Sequence, residues 1–444
     1  MKNGLQISVS GIRGIYPDFL TSEVANLFGL SFGSYVRKKK VFICRDTRVS
    51  GESLKQAVIT GLLCTGKDVV DLGIAATPEL AYVLEKIEKS PGVVITASHN
   101  PGEYNGIKFF SGEGIYLNSG EGAKLLNIYE KRAFTVAENP GFLSSAGYTE
   151  KYFGAVYNAV DIEKIKKRRF RVVVDVCQGV GALLTERFLA GMGCEAVIIN
   201  KEPPGVFSHN PEPLAENLGG LSESVVSEKA DIGFAQDPDG DRLAFVCEDG
   251  EIPGEEMTVV LCIKNFLEKK KSPVVVNLST TSLVEETAKS FGVEVYRTKI
   301  GEINVVEGMK KNGSLIGGEG NGGIVCSDVH YGRDSFVGMA LILEYIAKRR
   351  KRISEIAEEL PKYFMLKKKV KIEGKDTSGI IEELKKEYAS KDELNLEDGI
   401  KIIRRDGWIH IRPSGTEPVL RIYAEGKTEE TAEKYLSEFT GRFG

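Results

Sequence analysis

Short apolar runs alternate with stretches of helical spacing along most of this chain. Val41-Phe42-Ile43-Cys44 leads through the polar loop Arg45-Asp46-Thr47-Arg48-Val49-Ser50 to Leu54, Ala57, Val58, Gly61 and Leu62 at helical intervals. Gly66 closes that helix and Val69-Val70 opens the next strand. The pattern returns twice. Arg171-Val172-Val173-Val174-Asp175 leads through Gly179-Val180-Gly181 to a helix with Leu184 and Phe188, then to Ala196-Val197-Ile198-Ile199. Val274-Val275-Val276-Asn277 leads through Ser279-Thr280-Thr281-Ser282 to Val284, Ala288 and Phe291, then to Val293-Glu294-Val295-Tyr296. Three widely spaced copies of one strand–loop–helix–strand unit predict an α/β protein with three related domains, not a solenoid, whose periods are shorter. After the Lys-rich segment 362–375 the character changes. Residues 400–404 and 408–411 flank Asp406-Gly407, a hairpin signal. A strand over 420–424 and a polar helix from near Thr428 complete a smaller α+β domain. The expected boundaries are 1–150, 151–250, 251–362 and 363–444.

Length and composition agree with this division. The chain has 444 residues, 42% hydrophobic and 27% charged, which suits a soluble protein of about three or four domains. A net charge of -4 argues against a general nucleic-acid binder, so any anion site must be a local cluster of Arg, Lys and backbone N–H groups. The seven Cys form no C-x-x-C pair and lie mostly in apolar runs, as reduced, buried thiols of a cytoplasmic protein would. The first residues lack an apolar signal core. Residues 336–346, interrupted by Gly338 and Glu344, are too few to span a bilayer and read as a buried helix, so no membrane partner is expected.

Four motifs carry chemistry. Thr96-Ala97-Ser98-His99-Asn100-Pro101 follows the apolar run Val93-Val94-Ile95, which puts Ser98 at a strand's carboxyl end, where open α/β sheets place their sites. A hydroxyl there can accept and pass on a phosphoryl group if its charge is neutralised. Alone, the same residues would be a turn closed by Pro. Asp237-Pro238-Asp239-Gly240-Asp241-Arg242 sets three carboxylates at alternate positions, enough to share one hard cation; Mg²⁺ fits. An EF-hand is the rival, but Arg242 stands where that loop needs Gly, and Leu243-Ala244-Phe245-Val246 reads as a strand. Gly317-Gly318-Glu319-Gly320-Asn321-Gly322-Gly323 lets backbone close around a polar ligand, with Glu319 and Asn321 suited to sugar hydroxyls. Arg412-Pro413-Ser414-Gly415-Thr416-Glu417-Pro418 offers a guanidinium, two hydroxyls and N–H groups around Gly415 to a phosphate monoester, with Arg421 as a second cation. Gly11-Ile12-Arg13-Gly14 presents Arg13 to an anion or is only a Gly-rich turn. Arg45 and Arg48 either orient a phosphate or form a structural Arg–Asp loop network.

Nucleophile, metal loop, polyol reader and phosphate clamp are the parts of phosphoryl transfer. With all four motifs in order over essentially the whole length, the sequence resembles the α-D-phosphohexomutase superfamily. The resemblance implies mixed sheets, four domains around a central cleft, and Ser98 phosphorylated in the resting enzyme. It also implies Mg²⁺ held by that phosphate with Asp237, Asp239 and Asp241. Two transfers through a hexose 1,6-bisphosphate, which also serves as activator, would interconvert hexose 6- and 1-phosphates. Lys108, in Asn105-Gly106-Ile107-Lys108, matches a family active-site lysine and with Arg13 would aid proton transfer; His99 joins the catalytic set beside Ser98. Arg242, Lys299, Glu319, Asn321, His330, Arg412, Ser414, Gly415, Thr416 and Arg421 are the expected substrate contacts. The run Asn105 to Ser111 looks like phosphoglucosamine mutases, with phosphomannomutase or phosphoglucomutase as the alternative. A Mg-dependent sugar phosphatase and a non-catalytic phosphosugar sensor are more distant rivals. A monomer or homodimer acting on a phosphosugar is expected.

Overall fold

Strong apolar runs become buried strands, and the loops at their carboxyl ends carry the polar motifs. The computed structural model describes residues 4–8, 11–371, 377–413 and 419–443. Strands β1 (Gln6–Ser8), β2 (Gly11–Ile15), β3 (Lys40–Arg45), β4 (Asp68–Ile74), β5 (Gly92–Ile95), β6 (Tyr104–Phe110) and β7 (Leu143–Ser145) form a mixed sheet in the order β1-β2-β6-β5-β3-β4-β7. Helices Ser22–Tyr35 and Gly51–Cys64 pack on it through Phe28, Phe32, Leu54, Val58 and Leu62. Because β5 runs antiparallel to β6, Val94 faces Lys108, and the loop after Ile95 starts beside that lysine's strand.

The second sheet holds β8 (Arg171–Asp175), β9 (Glu195–Ile199), β10 (Ile232–Gln236) and β11 (Leu243–Cys247), in the order β11-β10-β8-β9. β10 and β11 pair antiparallel from Gln236↔Leu243 outward, so the Asp-rich motif is their hairpin loop. Further on, β12 (Val274–Asn277) pairs parallel with β13 (Val295–Thr298) and β14 (Ile316–Glu319), while β15 (Gly323–Cys326) pairs antiparallel with β16 (His330–Arg333). Helix Ser335–Arg349, capped by Asp334, is buried from Ser335 to Ala347. The C-terminal sheet is β17 (Phe364–Lys371), β18 (Glu393–Asn395), β19 (Ile400–Arg404), β20 (Gly407–Pro413) and β21 (Val419–Gly426), all antiparallel, in the order β17-β21-β20-β19-β18. Helices Thr377–Tyr388 and Glu429–Phe443 cover it over Leu384, Ile402, Ile411, Leu420 and Phe439. This is the four-domain α/β layout with mixed sheets.

Two compact units divide the chain. One comprises 1–265 and 321–357, the other 266–320 and 358–444. Among the described residues no helix is long and apolar enough to cross a membrane.

Three local expectations change, and one strand was not foreseen. Cys64 is exposed at the end of its helix, whereas the other six thiols are buried. The third repeat's last strand starts at Val295 rather than Val293, where pairing with β12 begins. The C-terminal hairpin turns at Arg405-Asp406, because Gly407 already pairs with Arg404. The short edge strand β7 joins the first sheet although its residues, all exposed, carry no apolar pattern.

Candidate active site

Ser98 sits three residues past β5 with φ 51°, a left-handed conformation that non-glycine residues seldom adopt. What holds it there is Arg48. Its guanidinium is fully buried and donates to the carbonyls of Ser98 (2.6 Å), Asn100 (2.5 Å), Pro101 (2.6 Å) and Tyr104 (2.9 Å). Asp46 pairs with Arg48 Nε at 3.1 Å and accepts from Thr96 Oγ1 at 2.6 Å; Thr96 Oγ1 in turn accepts from Ser98 N at 2.8 Å. Phe207 stacks on the guanidinium at 4.8 Å. Of the two readings of the Arg45–Ser50 loop, the structural network is the one present at Arg48. Arg45 pairs with Glu52 at 2.9 Å.

Ser98 Oγ donates to Asp237 Oδ2 at 2.9 Å. Asp237, Asp239 and Asp241 are fully buried, and one ligand atom from each lies within 4.8 Å of the others. Gly240, at φ 74°, turns the loop so that the alternate acids converge. Asp237 Oδ1 accepts from the N–H groups of Asp241 and Arg242, both at 3.0 Å. Asp239 Oδ2 takes Thr77 Oγ1 at 2.9 Å and Lys108 Nζ at 3.1 Å. Asp241 Oδ2 takes Arg333 Nη2 at 2.6 Å. Asp239 Oδ1 and Asp241 Oδ1 are sealed from solvent with no hydrogen-bond donor among the described residues. Burial, then repulsion from Asp241 and Asp239, drives Asp237 well above the usual carboxylate range. Burial opposes ionisation of Asp239 too, but the Lys108 ammonium and the hydrogen bonds of Asp237 and Thr77 hold it below that range. Two orphaned acceptors in an all-oxygen donor set fit a hard divalent cation such as Mg²⁺.

Cations ring this centre. Arg13 Nη1 donates to Asn100 Oδ1 at 2.6 Å. Burial and the nearby Arg242 and Arg48 lower Arg13 to about 10, still charged near neutral pH. His99 Nδ1 is 3.4 Å from Ser98 Oγ, and its Nε2 lies 3.6 Å from Glu212. Burial, then Arg242, Arg13, Arg333 and Lys108, push His99 well below its ordinary value, so it is neutral. Arg242 Nη1 donates to Glu212 at 3.2 Å. Asn321 and His330 belong to this same unit; Asn321 Oδ1 accepts from Gly323 N at 3.2 Å. His330 is buried on Asp334 at 3.0 Å, with Tyr152 donating to the same carboxylate at 2.8 Å.

Glu319, Lys299, Arg412 and Arg421 belong to the other unit. Glu319 Oε1 accepts from Asn277 Nδ2 and Gly301 N, both at 2.9 Å, and Lys299 is exposed. Arg412 and Arg421 are directly cross-strand partners on β20 and β21. Two guanidinium groups so placed repel unless an anion joins them. Ser414, Gly415 and Thr416 lie outside the described residues.

Thr77, Glu212 and Arg333 are site residues that the sequence did not announce. Arg333 lies three residues after His330, and its cationic type was the available signal. Thr77 and Glu212 carried none, since their partners are 162 and 30 residues away.

The phosphoglucomutase/phosphomannomutase models for α/β/α domains I, II and III match residues 5–136, 150–250 and 254–364, and that for the C-terminal domain matches 368–441. A phosphoglucomutase/phosphomannomutase of Thermococcus kodakarensis is 41% identical over 437 residues, 96% of this chain and 95% of the relative. A protein of Pyrococcus abyssi named probable phosphoglucosamine mutase is 36% identical over 442 residues, 98% and 97% of the two chains. The X-ray structure of a phosphoglucomutase/phosphomannomutase family protein from Burkholderia thailandensis superposes with a TM-score of 0.88 at 27% identity, covering 98% of this chain and 95% of that one.

Proposed function

This chain belongs to the phosphoglucomutase/phosphomannomutase family and is a phosphohexomutase, and we propose that it interconverts the 6- and 1-phosphates of glucosamine through a phosphoserine at Ser98. The observation that carries the mechanism is the 2.9 Å contact between Ser98 Oγ and Asp237. A nucleophile on the rim of an acidic, cation-ringed centre is what reversible phosphoryl transfer needs. Asp237, Asp239 and Asp241, with the phosphoryl oxygens on Ser98, would hold Mg²⁺. When bound, that ion supplies the positive charge that offsets the transferring group.

In the first transfer the Ser98 Oγ–P bond breaks, a bond forms between phosphorus and the free sugar oxygen, and the proton of that sugar hydroxyl ends on Ser98 Oγ. Lys108 and Arg13, both cationic, are assigned to the negative charge that develops at that oxygen and so aid the proton's transfer, and neutral His99 keeps a lone pair beside Ser98. The hexose 1,6-bisphosphate then turns over, and its other phosphate returns to Ser98; added bisphosphate acts as activator by loading the serine. Arg412 and Arg421, with Ser414, Gly415 and Thr416, grip the phosphate that is not reacting. Arg242, Lys299, Asn321 and His330 complete the substrate contacts. Glu319 reads the sugar, and a carboxylate takes the ammonium of glucosamine in a stronger, charge-assisted bond than it makes with a hydroxyl. The Pyrococcus relative's name supports the amino sugar. The name of the 41% identical Thermococcus relative supports the second reading, glucose and mannose phosphates.

Two measurements test this. Ser98→Ala is expected to abolish turnover, and intact mass of the wild-type protein should show one phosphoryl group on the Ser98 peptide. A Ser98 that a hexose 1,6-bisphosphate cannot label would remove the mechanism. Parallel assays with the 1-phosphates of glucosamine, glucose and mannose rank the substrates; a preference for glucose or mannose selects the second reading.

A further inference from the structure

The unit that carries Glu319 and Arg412 ties these two residues together through one side chain that no motif announced. Asp398 lies in the turn before β19. Its Oδ2 accepts from Ile300 N at 3.1 Å and stands 3.4 Å from Arg412 Nε. Its backbone carbonyl takes His410 Nε2 at 2.6 Å. The residue after Ile300 is Gly301, whose N–H binds Glu319 Oε1 at 2.9 Å. One carboxylate therefore touches both the segment that fixes Glu319 and the edge of Arg412.

The surroundings make this tie stiff. His410 donates from Nε2 to a carbonyl, so its Nδ1 carries the lone pair that accepts from Ser279 Oγ at 2.7 Å. Lys401, directly opposite His410 across the hairpin, donates to Leu278 O at 2.6 Å. Gly399, next to Asp398, has φ 71°, and a Cβ there would come within 2.3 Å of Ile411 O and 2.9 Å of Arg412 Cα. Only glycine lets the turn lie this close to the strand that bears Arg412.

We propose that Asp398 is a positioning residue that sets the span between the phosphate-binding Arg412 and the sugar-reading Glu319, and through that span decides which hexose phosphates are accepted. It rests on the reading of those two residues as substrate contacts. An arginine steered by an ion pair at its Nε edge has its terminal nitrogens for an anion, at a distance from Glu319 set by that ion pair and the hydrogen bonds of Ile300 N and Gly301 N. Freed of Asp398, Arg412 samples other rotamers, and the phosphate and the hydroxyls or ammonium no longer reach their partners together.

The test compares full-length wild type, Asp398→Asn and Asp398→Ala with the three hexose 1-phosphates. Asn keeps an acceptor for Ile300 N and the backbone carbonyl for His410, but loses the charge facing Arg412. In Asp398→Asn, KM for the best substrate should rise about tenfold while kcat stays within about threefold, as loss of a charge-assisted positioning contact predicts. The ratio of kcat/KM between best and worst sugar should narrow about fivefold. Asp398→Ala should move both quantities further in the same direction. KM and sugar ratio unchanged in an active Asp398→Asn would refute the proposal. So would a uniform fall in kcat for all three sugars that tracks the unfolded fraction in a urea titration, since that marks a merely structural role. Wild-type protein that isomerises none of the three removes the functional reading itself, and the proposal with it.

Discussion

In the unit that carries Ser98, Asp239 Oδ1 and Asp241 Oδ1 are buried with no donor among the described residues, and Asp237 resists ionisation beside them. In the unit that carries Glu319, polar side chains near Asp398 and on β20 and β21 are paired: His410 with Ser279 and the Asp398 carbonyl, Trp408 Nε1 with Glu425 at 2.6 Å, and Glu425 with Ser282 N at 2.9 Å. On the proposed mechanism the Ser98 centre keeps charge unbalanced until a cation and a phosphoryl group arrive. Around Asp398 the hydrogen bonds close within the chain, and the positive charge left over belongs to the cross-strand arginines Arg412 and Arg421. Chemistry needs preorganised, unsatisfied electrostatics; recognition of a sugar needs a fixed span.

That contrast can be broken experimentally, beginning where the imbalance is greatest. Asp239→Asn removes the charge that faces Lys108 and one oxygen of the cation set. It should lower kcat by about 10²–10³ and raise the Mg²⁺ concentration needed for half-maximal rate, the scale seen when one electrostatic group is lost from a preorganised site. Wild-type rates and metal dependence in this variant would show that the orphaned oxygens have no catalytic purpose.

Arg48→Ala asks whether the strained nucleophile loop is held by charge. It leaves Asp46 buried without its partner, although burial already raises that carboxyl against the pull of Arg48. A loss of about 3–5 kcal/mol is expected from urea unfolding, as for other broken buried pairs. A loss below about 1 kcal/mol would mean that Phe207 and the sheet alone keep the loop in place.

The smallest effect separates the two units by pH. Glu79, buried beside Thr149 in the Ser98 unit, is raised by burial to about 7. Between its unfolded value near 4.5 and 7 the folded state holds more protons, so its contribution is full below 4.5 and is lost as pH rises through 7. His410, in the other unit, is lowered by burial to about 4. Between 4 and its unfolded value near 6.5 the unfolded state holds more protons, so its contribution is full above 6.5 and lost as pH falls towards 4. Hydrogen exchange of each unit from pH 4.5 to 7 should show these opposite slopes, and Glu79→Gln and His410→Gln should each flatten one of them. Parallel slopes in both units would erase the distinction.

Much of the fold was legible because its signals are local. The apolar runs at 172–174 and 274–276 give strands whatever surrounds them, and the Asp237–Asp241 spacing places its acids in one hairpin loop by itself. The position of Ser98 after a buried strand was equally readable. Edge strand β7 was not, because an exposed three-residue strand has no periodicity to show.

By itself the sequence determined the α/β alternation, the four motifs, and the chemistry each residue type can perform. Tertiary structure alone decided that Ser98 meets Asp237 across 139 residues and that Arg333 closes on Asp241. It also decided that Arg48 serves the loop rather than a ligand, and that Asp398 joins Ile300 to Arg412. Local pattern follows from the period of helix and strand. Which charges end up facing one another depends on how sheets and loops from distant parts of the chain pack, and no spacing along the sequence records that distance.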